Sequence, residues 1–171
     1  MPYITHLAAA AWLVADYTKN EDCVIAAWLH DTLEDTDYTA EELEEDFGRE
    51  VRRIVETVTE PKEKNGEKLP WKERKLAYLE QLKAGPDEAL LIAAADKIHN
   101  MRSIVEEYYD NHQGFIKDFA GSLDERAMRY QELSNLLNRR LQSDIIAEFN
   151  HVYSEYKNFL AHVAKSVNKQ K

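Results

Sequence analysis

Apolar residues recur at helical spacing along most of the chain. Alternation of apolar and polar residues, which would indicate β-strands, does not persist beyond a few positions, and the sequence contains only 5 glycines and 4 prolines. The pattern therefore predicts an all-α fold. The predicted helices cover residues 4–18, 21–34, 39–47, 48–60, 70–84, 86–109, 123–141 and 142–164.

Three of the predicted helix boundaries have a local cause. Thr39 and Glu42 form the capping-box pattern, in which each side chain binds a backbone amide at the helix start. Pro70 suits the first position of a helix, and Gly85-Pro86 is expected to end that helix with a residue that tolerates positive φ. The charged segment 61–68 is predicted to be a mobile loop.

Two polar residues interrupt apolar helix faces. His30 lies on the same predicted face as Ala26 and Leu33, and Asp96 lies on the face of Ile92 and Ala95. Both side chains are therefore expected to be buried. A buried, ionised carboxylate normally takes up a proton, pairs with a cation or coordinates a metal ion.

A shared divalent metal would account for both residues. Lys97 is not expected to neutralise Asp96, because successive residues on an ideal helix are rotated by about 100°. Asp31 adds a carboxylate beside His30, and His6 adds a second imidazole. This set of nitrogen and oxygen ligands suits Mn, Fe or Mg in a six-coordinate site with positions left for water. The alternative, in which these residues are ordinary packed core residues, remains open at this point.

Length and composition favour one globular domain. The chain has 171 residues, 44% of them hydrophobic, and we expect a single domain over residues 1–165 with a frayed tail at 166–171. Cys23 is the only cysteine, so no internal disulfide can form, and a reducing cytoplasm is the expected location. The apolar segment 7–14 has no preceding basic residue and is interpreted as a buried helix, not as a signal peptide.

The net charge of −10 argues against nucleic acid as a partner, because binding to phosphates needs clustered Lys and Arg. No segment suggests a membrane partner. A small polyphosphate ligand remains compatible with this charge, since a divalent cation and a few local bases can make one cleft positive.

Three segments together resemble a known family. His6, the adjacent His30-Asp31 and the later Asp96 resemble the metal signature of the HD-domain phosphohydrolases. The stretches HDTLED at 30–35, AADKIHNMR at 94–102 and FGREVRRIVETVT at 47–59 resemble, more specifically, the hydrolase domain of RelA/SpoT-type alarmone enzymes.

The resemblance implies a fold, a metal and a reaction. The fold would be a helical bundle with the metal between helices. The metal would be Mn²⁺, bound by His6, His30, Asp31 and Asp96. The reaction would remove the 3′-pyrophosphate from ppGpp or a related nucleotide.

The resemblance also implies roles for residues around the metal. Glu34 and Asp35 would position or deprotonate the attacking water, although a solvated acidic helix end is the alternative interpretation. Asn100, Ser103 and Lys97 would contact the nucleotide. Lys97 stands where relatives usually have Arg and lacks its planar fork of donors.

The N-terminus departs from the family pattern. Relatives typically begin with a helix that carries bases for the guanine nucleotide, whereas this sequence starts directly at Met1-Pro2-Tyr3 and has Leu7 in place of a proline. These departures keep two alternatives open. One is hydrolysis of another nucleotide phosphate ester, and the other is a shortened, non-catalytic relative that binds metal.

The C-terminal part carries no further motif. Residues 123–164 have amphipathic helical patterns that include Tyr130 and Leu133, and we interpret them as packing helices that form core or a homodimer surface.

Overall fold

The computed structural model describes residues 2–64, 66–110 and 123–168. They form a helical bundle, which confirms the predicted fold class. The helices are α1 (Ile4–Tyr17), α2 (Glu21–Trp28), α3 (Thr32–Asp35), α4 (Ala40–Phe47), α5 (Arg49–Val58), α6 (Trp71–Ala84), α7 (Asp87–Asp110), α8 (Leu123–Arg140) and α9 (Ile145–Asn168).

The helix predicted over 21–34 is interrupted, and this part of the prediction is wrong. α2 ends at Trp28, a turn follows, and α3 starts at Thr32. The side chain of His30 explains the break, because its Nδ1 lies 2.7 Å from the carbonyl oxygen of Ala27. In a continuous helix, that oxygen would accept the amide of Asp31, so the imidazole competes with the backbone for it.

Helix α7 forms the centre of the bundle and packs against α1, α2, α5, α8 and α9. Its segment 89–95 is buried at every position, so the helix is surrounded by protein on all sides. Asp96 follows this segment directly and is only 8% exposed. The helix therefore carries a carboxylate into the interior, as the sequence predicts.

The predicted capping box is confirmed. Thr39 Oγ1 accepts the amide of Glu42, and a Glu42 carboxylate oxygen accepts the amide of Thr39 at 2.8 Å. Gly85 ends α6 for a different reason from the one expected, because its φ is −78°. A Cβ at this position would lie 2.4 Å from Thr57 Cγ2, so close contact with α5 explains the glycine.

Segment 61–68 contains local structure that the sequence analysis missed. Two short strands, β1 (Glu63–Lys64) and β2 (Glu67–Lys68), pair antiparallel, with Glu63 opposite Lys68. Gly66 has φ +81°, which glycine adopts readily, and an Asn-Gly pair at 65–66 is a common hairpin signal.

The last helix continues to Asn168 and so includes the first residues of the predicted tail, while 169–171 lie outside the described residues. Within the described ranges, no helix has both the length and the apolar character needed to cross a membrane.

Candidate metal centre

Four side chains predicted as metal ligands meet between α1, α7 and the turn that joins α2 to α3. His6 Nε2 lies 3.2 Å from His30 Nε2 and 3.4 Å from Asp96 Oδ1. Asp31 Oδ2 lies 3.3 Å from His30 Nε2 and 3.7 Å from His6 Nε2. His6, His30 and Asp96 offer ligand atoms that all lie within 4.8 Å of one another.

The backbone fixes which nitrogen of His30 faces this cluster. A carbonyl oxygen can only accept, so Nδ1 of His30 carries the proton that Ala27 O receives at 2.7 Å. In the neutral ring, Nε2 is then an unprotonated acceptor. His30 is 3% exposed, so the ring is also held by its surroundings. This is the tautomer that a metal-binding histidine requires.

His6 is oriented by His99, a residue to which the sequence analysis gave no role. The Nδ1 atoms of the two rings lie 2.8 Å apart, so one of them must carry a proton. Burial and the nearby charge of His6 lower the pKa of His99, which favours a neutral acceptor there. His6 then donates from Nδ1 and directs Nε2 into the cluster. His99 lies in the quoted segment 94–102, but helical spacing alone does not connect it to His6.

The donor set fits a divalent cation. The convergent atoms are acceptors or carry negative charge, so a cation must lie among them to offset their repulsion. Neighbouring ligands of a six-coordinate ion at about 2.1 Å are about 3.0 Å apart, close to the separations found. A proton on His6 can also supply this positive charge, because hydrogen bonding to Asp96 raises the pKa of His6, while burial opposes the shift. A metal ion and this proton compete for the same place.

The surroundings of Asp96 correct one expectation. Lys97 does reach it, with Nζ 2.5 Å from Oδ2, because the flexible lysine stem turns back along the helix. Asn100 donates to Oδ1 from one turn further on. Burial would raise the pKa of Asp96, but Lys97 and His6 hold it well below its usual value. The carboxylate is therefore ionised, and Lys97 leaves its other oxygen directed towards His6.

Tyr3 links Asp31 to Asp35. Its hydroxyl donates to Asp31 and lies 3.0 Å from Asp35 Oδ2. Burial and these hydrogen bonds raise the pKa of Tyr3 far above its usual value, so the phenol remains a donor. Asp35 itself is exposed and lies outside the wall of the cavity described below. The sequence alone does not connect Tyr3 to Asp31 or Asp35, because these residues meet only through the tertiary fold.

Glu34 occupies a different environment from Asp35. Its Oε1 accepts the backbone amide of Glu60 at 2.6 Å, and the Glu60 side chain is paired with Lys75 and with Arg74 at 3.4 Å. Burial raises the pKa of Glu34, although the Glu60 amide opposes the shift. Glu34 is thus a positioned carboxylate with enhanced basicity, and the interpretation as a merely solvated helix end does not describe it.

A cavity of about 780 Å³ opens from the cluster. Its wall includes Glu34, Lys97, Asn100 and Ser103, and the Ser103 hydroxyl lies 3.4 Å from His99 Nδ1. The opposite wall comes from α6 and α8. Tyr130 and Leu133 line it, so α8 contributes to the cavity as well as to the core that the sequence predicts. The volume is within the range of small-molecule sites.

The sequence comparisons decide the family. A family model described as "HD domain" matches residues 1–120. The chain belongs to the HD-domain family. It is also 36% identical over 135 residues to the human guanosine-3′,5′-bis(diphosphate) 3′-pyrophosphohydrolase MESH1, covering 71% of this chain and 73% of that protein. This HD domain is therefore a phosphohydrolase domain related to the MESH1 and SpoT hydrolase domains.

A further sequence relative and two solved structures also match this chain. The bifunctional (p)ppGpp synthase/hydrolase SpoT of Escherichia coli K12 is 34% identical over 109 residues, which cover 60% of this chain and 15% of SpoT. A crystal structure of lmo0812 from Listeria monocytogenes EGD-e matches with a TM-score of 0.73 at 25% identity, covering 91% of this chain and 97% of that one. A structure of a metazoan SpoT ortholog, described as hydrolysing ppGpp, shares the fold with a TM-score of 0.71 at 24% identity, covering 91% of this chain and 82% of the other. As in the family, the histidine and aspartate cluster of this HD domain implies a divalent metal.

Proposed function

We propose that this HD domain removes the 3′-pyrophosphate from ppGpp or a closely related guanosine nucleotide. One observation carries the proposal: His6, His30 and Asp96, with Asp31 beside them, open into a nucleotide-sized cavity in which Glu34 also lies. The activity printed for the MESH1 relatives supports it, since they are pyrophosphohydrolases of guanosine-3′,5′-bis(diphosphate).

The proposed metal is Mn²⁺, held by His6, His30, Asp31 and Asp96. Two imidazoles with two carboxylates suit this ion, although Fe or Mg is compatible with the same ligands. When bound, a divalent ion stabilises negative charge that develops on the phosphoryl group and makes water more acidic. Tyr3 keeps Asp31 oriented through its hydrogen bond, and Asp35 holds the same hydroxyl.

Glu34 is the proposed general base. It accepts a proton from the attacking water, whose oxygen forms a bond to phosphorus as the bond from phosphorus to the 3′ oxygen breaks. The products are pyrophosphate and a nucleoside 5′-diphosphate, and the departing 3′ oxygen takes up a proton. The Glu60 amide fixes one carboxylate oxygen of Glu34 and leaves the other for the water. Asp35 is the second carboxylate proposed to assist the reaction. It acts indirectly, through its hydrogen bond with the Tyr3 hydroxyl.

The substrate contacts proposed on α7 follow from their place in the cavity wall. Asn100 offers an amide that can bind a ribose hydroxyl or a phosphate oxygen, and Ser103 offers a hydroxyl one turn further along. Lys97 supplies positive charge beside Asp96 and can stabilise negative charge on the 3′-pyrophosphate group.

Lys97 also favours a second candidate function, hydrolysis of another nucleotide phosphate ester. Its ammonium group is engaged with Asp96, so it is a less available phosphate ligand than a free arginine fork would be. The metal chemistry would be the same in both cases.

A substrate panel tests the proposal. Purified protein with Mn²⁺ is incubated with ppGpp, pppGpp, nucleoside monophosphates and NADPH, and anion-exchange chromatography separates the products. We expect pyrophosphate from ppGpp or pppGpp as the fastest reaction. Orthophosphate from another nucleotide would favour the second candidate. No product from any member of the panel, despite bound metal, would favour the non-catalytic alternative.

A further inference from the structure

The cavity has an aromatic wall that the proposed chemistry does not use. Trp71 begins α6, and Arg129 lies on α8, which packs against α6. Both residues line the same cavity as the metal cluster. Neither residue is a proposed metal ligand or the proposed general base, so the proposed reaction gives them no role.

Trp71 presents a ring to the cavity and retains 38% of its surface exposed. Arg129 Cζ lies 5.9 Å from the ring centroid and Lys75 Nζ lies 6.0 Å from it. Both distances lie at the roughly 6 Å limit of a cation–π contact, so each contact is weak and the ring keeps its exposed surface. Exposed aromatic rings in nucleotide sites commonly stack on bases.

Arg129 carries an unused donor. Its Nη1 donates to Glu132 Oε2 at 2.7 Å, which orients the guanidinium group. Its Nε is buried and has no hydrogen-bond partner among the residues that the structure describes. A buried donor without a partner is costly, and donors of a charged group are more costly than neutral ones. A shift of the guanidinium group towards the cavity would let a ligand acceptor satisfy it.

The charges on this wall do not favour a second phosphate site. Lys75, which lines the cavity, is already paired with Glu60. Arg129 has Glu132 beside it. Each of these cationic side chains therefore has a carboxylate neighbour, and a phosphate would meet little uncompensated positive charge. A neutral ligand with an aromatic face and hydrogen-bond acceptors fits the wall better.

We propose that Trp71 and Arg129 form a guanine subsite, in which the base stacks on Trp71 and accepts hydrogen bonds from Arg129. Guanine presents two adjacent acceptors, O6 and N7, which match the parallel donors of a guanidinium group. Adenine replaces O6 with an amino donor and loses this match. The inference rests on the proposed function, because it identifies the base of the nucleotide whose phosphate reacts at the metal.

Tryptophan fluorescence tests the subsite without turnover. The chain has three tryptophans, so the variant W12F/W28F leaves Trp71 as the only one. The Mn²⁺-loaded variant is titrated with GDP, ADP, CDP and pyrophosphate, and circular dichroism checks its fold. We expect GDP to quench Trp71 with a Kd at least about fivefold below that of ADP. Absence of quenching by GDP, or equal quenching by pyrophosphate alone, would overturn the proposal.

Arg129 is tested by a matched pair of variants in the same background. Arg129→Gln should raise the Kd for GDP at least about fivefold and remove the preference for GDP over ADP. Arg139→Gln, an exposed change on the same helix, should alter neither value. A preference for GDP that persists in Arg129→Gln would contradict the assignment.

The two proposals fail in different ways. Quenching by GDP without hydrolysis of ppGpp would overturn the proposed function and leave the guanine subsite supported. Hydrolysis of ppGpp by the unaltered chain, without quenching by GDP in the single-tryptophan variant, would support the proposed function and overturn the guanine subsite.

Discussion

The Nε2 atoms of His6 and His30 lie 3.2 Å apart, and each ring is held in place through its other nitrogen. Ala27 O fixes His30, and His99 fixes His6. Asp96 and Asp31 approach the same point with carboxylate oxygens. Two independently oriented imidazoles that face each other among carboxylates require a cation, and this requirement underlies the metal assignment.

Removal of one ligand should remove the metal. We expect His30→Ala and Asp96→Ala to lose both bound Mn²⁺ and activity, because each change removes a proposed ligand atom from the cluster. Metal content by mass spectrometry and the rise in Tm on adding Mn²⁺ measure the effect. Glu107→Gln, an exposed change on the same helix as Asp96, is the control. Stoichiometric, stabilising Mn²⁺ in Asp96→Ala would refute this assignment.

Glu34→Gln should separate chemistry from metal binding. The amide can still accept the Glu60 backbone hydrogen bond, but it cannot take a proton from water. We expect unchanged Mn²⁺ content and a fall in kcat of roughly 10²–10⁴-fold, the range for loss of a general base. Glu45→Gln, on the exposed surface of α4, controls for loss of one negative charge. Full activity in Glu34→Gln would remove the residue from the mechanism.

The same residue sets an expected pH dependence. Burial raises the pKa of Glu34 above its usual value, and a general base works only when it is deprotonated. The rate should therefore be constant above the raised pKa and fall as the pH decreases through it. Initial rates across a pH series at saturating Mn²⁺ measure this limb. Retention of the same limb in the residual activity of Glu34→Gln would assign it to another group.

His99 is expected to strengthen metal binding without being a ligand itself. His99→Ala removes the hydrogen-bond partner of His6 Nδ1 but leaves all four proposed ligands. Loss of such an outer partner typically weakens metal affinity by roughly 10–100-fold. Competition with a fluorescent chelator gives the Kd for Mn²⁺, and Glu107→Gln, an exposed change on the same helix, is the control. An unchanged Kd in His99→Ala would show that His6 needs no such support.

Much of the fold and of the candidate site follows from the sequence. Apolar spacing identifies the helices, and the burial of His30 and Asp96 follows from their positions on apolar faces. The break after Trp28 does not follow, because the pattern of residue types cannot show that an imidazole will take the carbonyl of Ala27.

The remaining site residues depend on tertiary contacts. Tyr3, His99 and Glu60 acquire their roles only when α1, α7 and the segment after α5 come together. The contact between Lys97 and Asp96 does not follow from the sequence, because ideal helix geometry fixes the direction of Cβ but not the end of a long side chain. The aromatic wall of α6 and α8 likewise has no signature in either helix alone.

The stoichiometry of the products from ppGpp tests the proposed hydrolysis directly. Mn²⁺-loaded protein and its Asp96→Ala variant are incubated with ppGpp, and GDP and pyrophosphate are quantified separately. We expect equal amounts of GDP and pyrophosphate, with neither product formed by the variant. Orthophosphate in place of pyrophosphate, or no product from protein that holds its full complement of Mn²⁺, would contradict it.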